Sequence, residues 1–164
     1  MALFQDVSAA AGAARELHQL GLGAADLSIV ARDHAAEEQI AQQIDGSPGS
    51  EIGDSPMAAR LGELSGYVLA AIAIGLPGTG AMVAAGPLAA ELGEVAGHLA
   101  GDLKAALVKA GVPEAEAGRW RAQIESGEMI LLGAHARGVD SRRVEAALGK
   151  HSASPVIATE WDAD

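Results

Sequence analysis

The sequence has no cysteine, and its aromatic side chains are limited to two Trp, one Tyr and one Phe. The absence of cysteine excludes disulfide bonds, thiolate metal sites and thiol nucleophiles. Hydrophobic residues make up 49% of the 164 positions but aromatic ones only 2%. We therefore expect an interior filled with Ala, Gly, Leu, Ile and Val at close backbone spacing. A chain of this length is the size of one domain with a single core.

Basic residues are also scarce, with 11 Lys and Arg against 22 Asp and Glu, which gives a formal net charge of -11. They are scattered along the chain, and Arg142 and Arg143 form the only adjacent pair. Binding to nucleic acid requires clustered basic side chains that displace counterions, so nucleic acid is not expected as a partner. No basic region precedes an apolar run near the N-terminus, so no signal peptide is expected and the predicted location is cytoplasmic.

The two ends of the chain carry the clearest secondary-structure patterns. Alternating and β-branched segments predict strands near residues 1–6, 26–32, 128–136 and 155–161, with helices after Val7, Pro113 and Asp140. The strand at 128–136 is apolar at both alternating positions, which is typical of a central strand. The β-α-β order at each end predicts an α+β fold, a ferredoxin-like sandwich with helices on one sheet face. Residues 34–56 are read as an acidic linker.

A long uncharged segment lies between the two ends. No charged residue occurs between Glu63 and Glu91, and the turn around Pro77 divides this run into halves too short to span a bilayer. We interpret residues 57–110 as an inserted Gly/Ala-rich helical hairpin. Small residues at i, i+4 spacing are predicted to bring its arms into near contact; they are Gly62, Gly66, Ala70, Ala89, Gly93, Gly97 and Gly101. The junction Gly86-Pro87 is an alternative start for the second arm.

The second arm carries two further stripes. The apolar one predicts a possible subunit interface, and hence a homo-oligomer, most simply a dimer; it consists of Leu88, Leu92, Val95, Leu99 and Leu103. The polar one places Glu94, His98 and Asp102 on one helical face, which is a weak candidate for a divalent metal. A solvated face is the preferred interpretation, so no metal and no cofactor are expected. The histidines and serines fall in no catalytic motif, which predicts that the protein is not an enzyme.

Three segments together resemble one known family: AARELHQLGLGAADLSIVAR, GLPGTGAMVAAGPLAAEL and GVPEAEAGRWRAQIESGEMILLGAHA. Their order and spacing are similar to the bacterial general stress (heat-induced) proteins, small proteins with a glycine-rich apolar insertion in a βαβ-type domain. The resemblance implies a role in the stress response and no established chemistry. We therefore expect a non-enzymatic protein acting through self-association or protein interaction. The alternatives are a membrane-associated protein whose hairpin inserts into lipid, and a metal- or small-ligand-binding protein.

Overall fold

A computed structural model describes residues 1–32, 72–76, 80–96 and 102–160. The β-strands are β1 (Ala2–Phe4), β2 (Leu27–Arg32), β3 (Ile72–Leu76), β4 (Gly80–Ala85) and β5 (Ile130–Ala134). The α-helices are α1 (Val7–Gln19), α2 (Pro87–Ala96), α3 (Leu103–Lys109), α4 (Glu114–Glu125) and α5 (Ser141–Gly149), and a single 3-10 turn (Ala24–Asp26) precedes β2. The α+β class predicted from the sequence is confirmed.

The five strands form one sheet in the order β1-β5-β2-β4-β3, and every neighbouring pair is antiparallel. The predicted strands at 1–6, 26–32 and 128–136 correspond to β1, β2 and β5. Because β5 lies between β1 and β2, with Ile130, Leu131 and Leu132 all buried, its prediction as a central strand is confirmed. The connection from β1 through α1 to β2 forms a β-α-β unit with β5 inserted between its strands.

Helices cover both faces of this sheet, which corrects the single helical layer expected of a ferredoxin-like sandwich. On one face, α1 and α5 pack on the side chains of Phe4, Ile29 and Leu132. On the other face, α2, α3 and α4 pack on Leu3, Val30 and Leu131, among other residues. Alternate residues of each strand therefore enter different core clusters, as the twofold periodicity of a strand requires.

The tip of the predicted helical hairpin is a β-hairpin instead. Strand β3 pairs with β4 from Ile72 opposite Ala84 to Leu76 opposite Gly80, and β4 continues the sheet against β2. The second arm begins at Pro87, as the Gly86-Pro87 alternative proposed. It is not one helix, because Asp102 has extended backbone and caps a new helix by accepting a hydrogen bond from the Ala105 N–H at 2.9 Å. The acidic linker at 34–56 lies outside the described residues.

The junction between β4 and α2 is held by two residues. Gly86 has φ +77°, and a Cβ at this position would lie 1.9 Å from the carbonyl oxygen of Leu27. Only glycine fits such an approach without displacing the start of β2. Directly beside it, the buried Oγ of Ser28 accepts a hydrogen bond from the Leu88 N–H at 3.0 Å, so β2 caps the first turn of α2.

The core is built largely from small aliphatic residues, as the composition predicts. Ala10, Ala13 and Ala14 bring α1 close to the sheet, where they lie with no exposed surface. The buried rings are few, and Trp120 packs from α4 together with Ala117 and Ile124. Close backbone approach thus replaces the area that larger rings would bury.

Candidate functional site

Two features of the described chain are candidates for function: a cleft at one end of β5 and the free side of β3. The cleft encloses about 140 Å³ between the end of β5, helix α5 and residues 156–159. Its walls are mostly apolar, with Val144 and Leu148 from α5 facing Val156 and Ile157. Polar groups of Ser28, His135, Ser141, Glu145 and Thr159 are distributed around it.

The wall opposite α5 is a segment that we call the C-terminal strap, residues 153–157. Its backbone binds β1 through Ala153 N–H to Leu3 O at 2.7 Å and Ile157 N–H to Met1 O at 2.8 Å. The Met1 nitrogen donates in return to Ile157 O at 2.8 Å, and the Leu3 N–H donates to Ser154 Oγ at 2.9 Å. Each of these bonds joins residues at opposite ends of the chain.

The predicted strand at 155–161 is corrected over its described part, because residues 155–160 form no regular strand. The segment that bonds to β1 is shifted toward residue 153. The strand-like pattern of the sequence still has a physical basis. Val156 packs on the α1–α5 side of the sheet and Ile157 on the α2–α4 side, so consecutive side chains of the strap alternate between the two cores.

His135 is the titratable ring at the mouth of the cleft. Its backbone N–H donates to Asp26 O at 2.8 Å, which fixes the residue just after β5. Burial lowers the pKa of the imidazole, and the nearby Arg137 guanidinium lowers it further, while Asp26 acts in the opposite direction. The ring is therefore mainly neutral near pH 7. Burial also lowers the pKa of the Met1 amino group to about 6, with Glu145 opposing this shift.

The size of the cleft limits what it can hold. Pockets for drug-sized ligands and cofactors typically enclose about 300 to 1,000 Å³, so this cleft suits a molecule of only a few heavy atoms. The polar groups around it also do not form a catalytic arrangement. The Oγ of Ser28 already accepts the Leu88 N–H, and both Ser141 and Glu145 are exposed at the surface of α5.

The second candidate, the β3 edge, is the side of Ile72–Leu76 that faces away from β4. In the described part of the chain, the sheet ends at β3 and no further strand pairs with it. The opposite end of the sheet differs, because the strap bonds to β1 there. Neither β3 nor β4 contains a charged residue.

A separate ionic cluster joins α1 to the end of α5. Glu16 Oε1 lies 2.9 Å from His151 Nε2 and 3.1 Å from Lys150 Nζ. Hydrogen bonds from His151 and then from Lys150 lower the pKa of Glu16. The imidazole of His151 lies over Gly12, where a Cβ would be 3.2 Å from the ring. We interpret this cluster as an ionic contact that holds α1 against the end of α5, and we call it the clamp.

Of the three predicted metal candidates, Asp102 is the one with a described side chain. Asp102 caps α3 with one carboxylate oxygen and binds Arg121 Nη1 with the other at 2.6 Å. Glu94 lies in α2, in a part of the helix whose side chains are not described, and His98 lies outside the described residues. Within the described ranges, no group of three His, Cys, Asp or Glu residues could hold a metal ion.

Three residues of the predicted interface stripe pack in this chain's own core. Leu88, Leu92 and Leu103 are completely buried on the α2–α4 side of the sheet. Val95 lies in α2 without a described side chain, and Leu99 lies outside the described residues. The three buried leucines cover a face of the chain's own sheet, together with α3 and α4.

The predicted hairpin packing falls mainly outside the structure. Gly62, Gly66, Ala70, Gly97 and Gly101 are not among the described residues, and Gly93 lies in α2. The remaining member of the set, Ala89, is buried among the α2–α4 core residues.

Neither the cleft nor the β3 edge was identified from the sequence. The signal for the edge was present in the alternation of Ile72, Ile74 and Leu76 with smaller residues, followed by Pro77-Gly78. The cleft had no comparable signal, since Ser28, His135 and Glu145 are far apart in the chain.

Comparisons with known proteins identify no relative. No protein-family model matches the sequence, and no match was found among curated proteins or solved structures. No helix in the described ranges is both long enough and apolar enough to cross a membrane.

Proposed function

We propose that this chain is a non-enzymatic cytoplasmic protein of the stress response that acts by binding protein through its sheet edge, with self-association as the primary mode. The stress assignment depends on the sequence resemblance described above. The observation that supports binding is the contrast between the two ends of the sheet. The chain's own strap bonds to β1, whereas no described strand pairs with the β3 edge.

An unpaired strand offers a row of backbone N–H and C=O groups that can bond to a further strand. Natural proteins usually protect such an edge with charged side chains, proline, a bulge or a covering segment. The sequence of β3, IAIGL, contains neither charge nor proline. Addition of a strand to an open edge is also a general mode of protein recognition, in which backbone hydrogen bonds supply much of the affinity.

The faces of the sheet offer less to a partner than its edge. Helices cover both faces, and among the side chains whose burial is described, Val108 is the single large hydrophobic one that is exposed, at 41%. One exposed valine is ordinary for a protein surface. Contact through the β3 edge requires no exposed apolar patch, because its bonding groups belong to the backbone.

The experiment is a sedimentation measurement on the full chain across micromolar concentrations, with variants Ala73→Pro and Ile74→Pro. Consecutive residues of a strand direct their N–H groups to opposite sides, so one variant removes a bond to β4 and the other only an outward N–H. We expect the wild type to self-associate. The variant that keeps the wild-type melting temperature should sediment as a monomer.

Val108→Lys is the control for the one exposed hydrophobic side chain, and it should leave association unchanged. A wild-type chain that remains monomeric over the whole concentration range would contradict self-association. Loss of association in Val108→Lys, but in neither proline variant, would assign binding to the surface of α3 instead of the sheet edge.

A second candidate function is binding of a small ligand, and the cleft beside His135 is the observation that favours it. The cleft has mainly apolar walls with a few polar groups around it, which is the usual composition of a small-ligand site. Thermal-shift screening with compounds of up to about ten heavy atoms tests this candidate. Val144→Trp should abolish any shift by filling the cleft, whereas Val108→Trp, at the exposed valine, should preserve it.

A further inference from the structure

We infer that the partner of the β3 edge is a second copy of this chain, and that the two β3 strands pair antiparallel about a two-fold axis. This inference rests on the proposed function and specifies its geometry. The sheet of one copy would continue into the other, giving ten strands in place of five. The register that pairs all five residues places Ile74 opposite its own copy, Ala73 opposite Gly75, and Ile72 opposite Leu76.

The charge pattern of the strand favours a copy over a different partner. In a two-fold antiparallel pair, a charged residue near the axis lies close to an identical charge, which is destabilising. The chain is strongly acidic overall, at -11, yet no charged residue occurs from position 64 to position 90. The β3 edge is therefore the part of this acidic protein where two copies can approach with the least local repulsion.

The two different sheet ends also define the size of the assembly. An isologous contact uses the same surface in both subunits, so each β3 edge is consumed when the dimer forms. The outer ends of the joined sheet are then the two β1 strands, each bonded to its own strap. Further strand addition would require displacement of the strap, so the assembly stops at two copies.

Helix α2 would extend the contact between the two copies on one face of the joined sheet. It contacts both β3 and β4, so it is the helix nearest to the proposed axis on its side of the sheet. Pairing through β3 therefore brings α2 toward its own copy and extends the helical layer together with the sheet.

Cysteine cross-linking tests this geometry directly, because the natural chain contains no cysteine. Opposite residues in an antiparallel pair have Cα atoms about 4.5 to 5.5 Å apart, within the range that a disulfide spans. We expect Ile74→Cys to form a covalent dimer on mild oxidation, seen in a non-reducing gel. Val108→Cys, at the exposed valine of α3, is the control and should form a covalent dimer only at a background level.

The register is tested by two further variants. Ala73→Cys alone and Gly75→Cys alone should cross-link poorly, because each residue lies away from the axis. An equimolar mixture of the two should cross-link efficiently, since position 73 then faces position 75 of the other copy. This mixture also serves if Ile74→Cys fails to fold.

The outcomes separate the proposed function from this inference. Efficient cross-linking at Ile74, or in the mixture, supports the two-fold β3 pair. A wild-type dimer by sedimentation, with neither cross-link formed, overturns this interface but leaves self-association standing. A wild-type monomer without cross-links overturns both. Cross-linking of Val108→Cys at the same rate as Ile74→Cys would indicate random collision and also overturn the inference.

Discussion

Gly86 lies where the chain between β4 and α2 passes directly over the backbone of Leu27 at the start of β2. Its φ of +77° is unfavourable for residues with a side chain, and the space for a Cβ is occupied by the carbonyl oxygen of Leu27. The same region contains the hydrogen bond from Leu88 to Ser28. The conformation of the junction between β4 and α2 therefore depends on the absence of a side chain at position 86.

Gly86→Ala should be strongly destabilising. We expect a loss of about 2 to 6 kcal/mol in the free energy of unfolding, from backbone strain together with overpacking. Gly118→Ala is the matched control, since it lies within α4 with no neighbouring atom within 4 Å of the added Cβ. It should stabilise by about 0.5 to 1 kcal/mol. Denaturant unfolding measures both values, and equal effects of the two substitutions would contradict the assigned role of Gly86.

Glu16 gives the clamp between α1 and α5 a defined pH dependence. Its pKa in the folded protein is below the ordinary value of 4.5, with the hydrogen bond from His151 as the largest cause. A lowered carboxyl pKa means that the folded state stabilises the ionised carboxylate of Glu16 more than the unfolded state does. The stabilisation is therefore present above the ordinary pKa and is lost as the pH falls through the folded-state pKa.

Glu16→Gln should lower the melting temperature at pH 7, and the difference from wild type should shrink as the solution is acidified below about 4.5. Glu128→Gln removes the same charge at a carboxylate that forms no ion pair in the described part of the chain. Melting curves from pH 3 to 8, a range spanning the carboxyl and histidine pKa values, make the comparison. A difference that persists unchanged at acidic pH would show that the Glu16 carboxylate is not responsible.

At the scale of secondary-structure elements, the strap is held by side-chain as well as backbone bonds. The Leu3 N–H has Ser154 Oγ as its acceptor at 2.9 Å. The bond lies in a partly buried position between the edge strand and the strap. Its loss would leave an amide of β1 without this partner, at a place where water has limited access.

Ser154→Ala should therefore cost about 0.5 to 1.5 kcal/mol of unfolding free energy and speed hydrogen exchange at the Leu3 amide. Ser154→Thr keeps the hydroxyl and should stay close to wild type in both measurements. Exchange at Leu3 that is equally slow in the alanine variant would mean that the hydroxyl does not protect this amide.

Much of the fold was predictable because several elements have strong local signals. Helix α1 follows an Asp6 N-cap, which accepts a hydrogen bond from Ala9 N–H at 2.8 Å, and it carries a clear apolar stripe. Strands β2 and β5 are rich in Ile, Leu and Val and are bounded by turn residues. The conformation of such segments can be predicted from their local sequence, with little contribution from tertiary contacts.

The inserted segment was misread because its composition is nearly uniform. When most positions are Ala or Gly, an i, i+4 series of small residues can be found whatever the conformation. The turn at Pro77-Gly78 is equally compatible with two helices or two strands. The conformation of β4 is decided by pairing with β2, whose residues lie about 50 positions earlier in the sequence, and that of β3 by pairing with β4. The cleft was missed for the same reason, because long-range packing assembles it.

At the scale of the whole molecule, the net charge of the chain opposes the dimerisation that pairing of the β3 edges would favour. Every copy carries a formal charge of -11, so two copies repel at long range even though the β3 edge itself is uncharged. Salt screens this repulsion without affecting the backbone hydrogen bonds of the pair to the same degree.

Dimerisation should therefore strengthen as salt is added. Between about 0.01 and 1 M ionic strength, the screening length falls from about 30 to about 3 Å. We expect the dimer dissociation constant, measured by sedimentation equilibrium, to decrease over this range. Arg142→Gln, at an exposed position of α5, raises the net negative charge by one and should strengthen the salt dependence. A dissociation constant that rises with salt would indicate an interface held by opposite charges instead.

The bonds between β1 and the strap have a consequence for synthesis on the ribosome. Strand β1 is made before its sheet partner β5 and before its strap, both of which lie far downstream in the sequence. Until then, the earliest strand has no native neighbour on either side and must wait while about 130 further residues are added. During this interval the nascent chain carries an apolar strand without its sheet partners, and holding chaperones would have access to it.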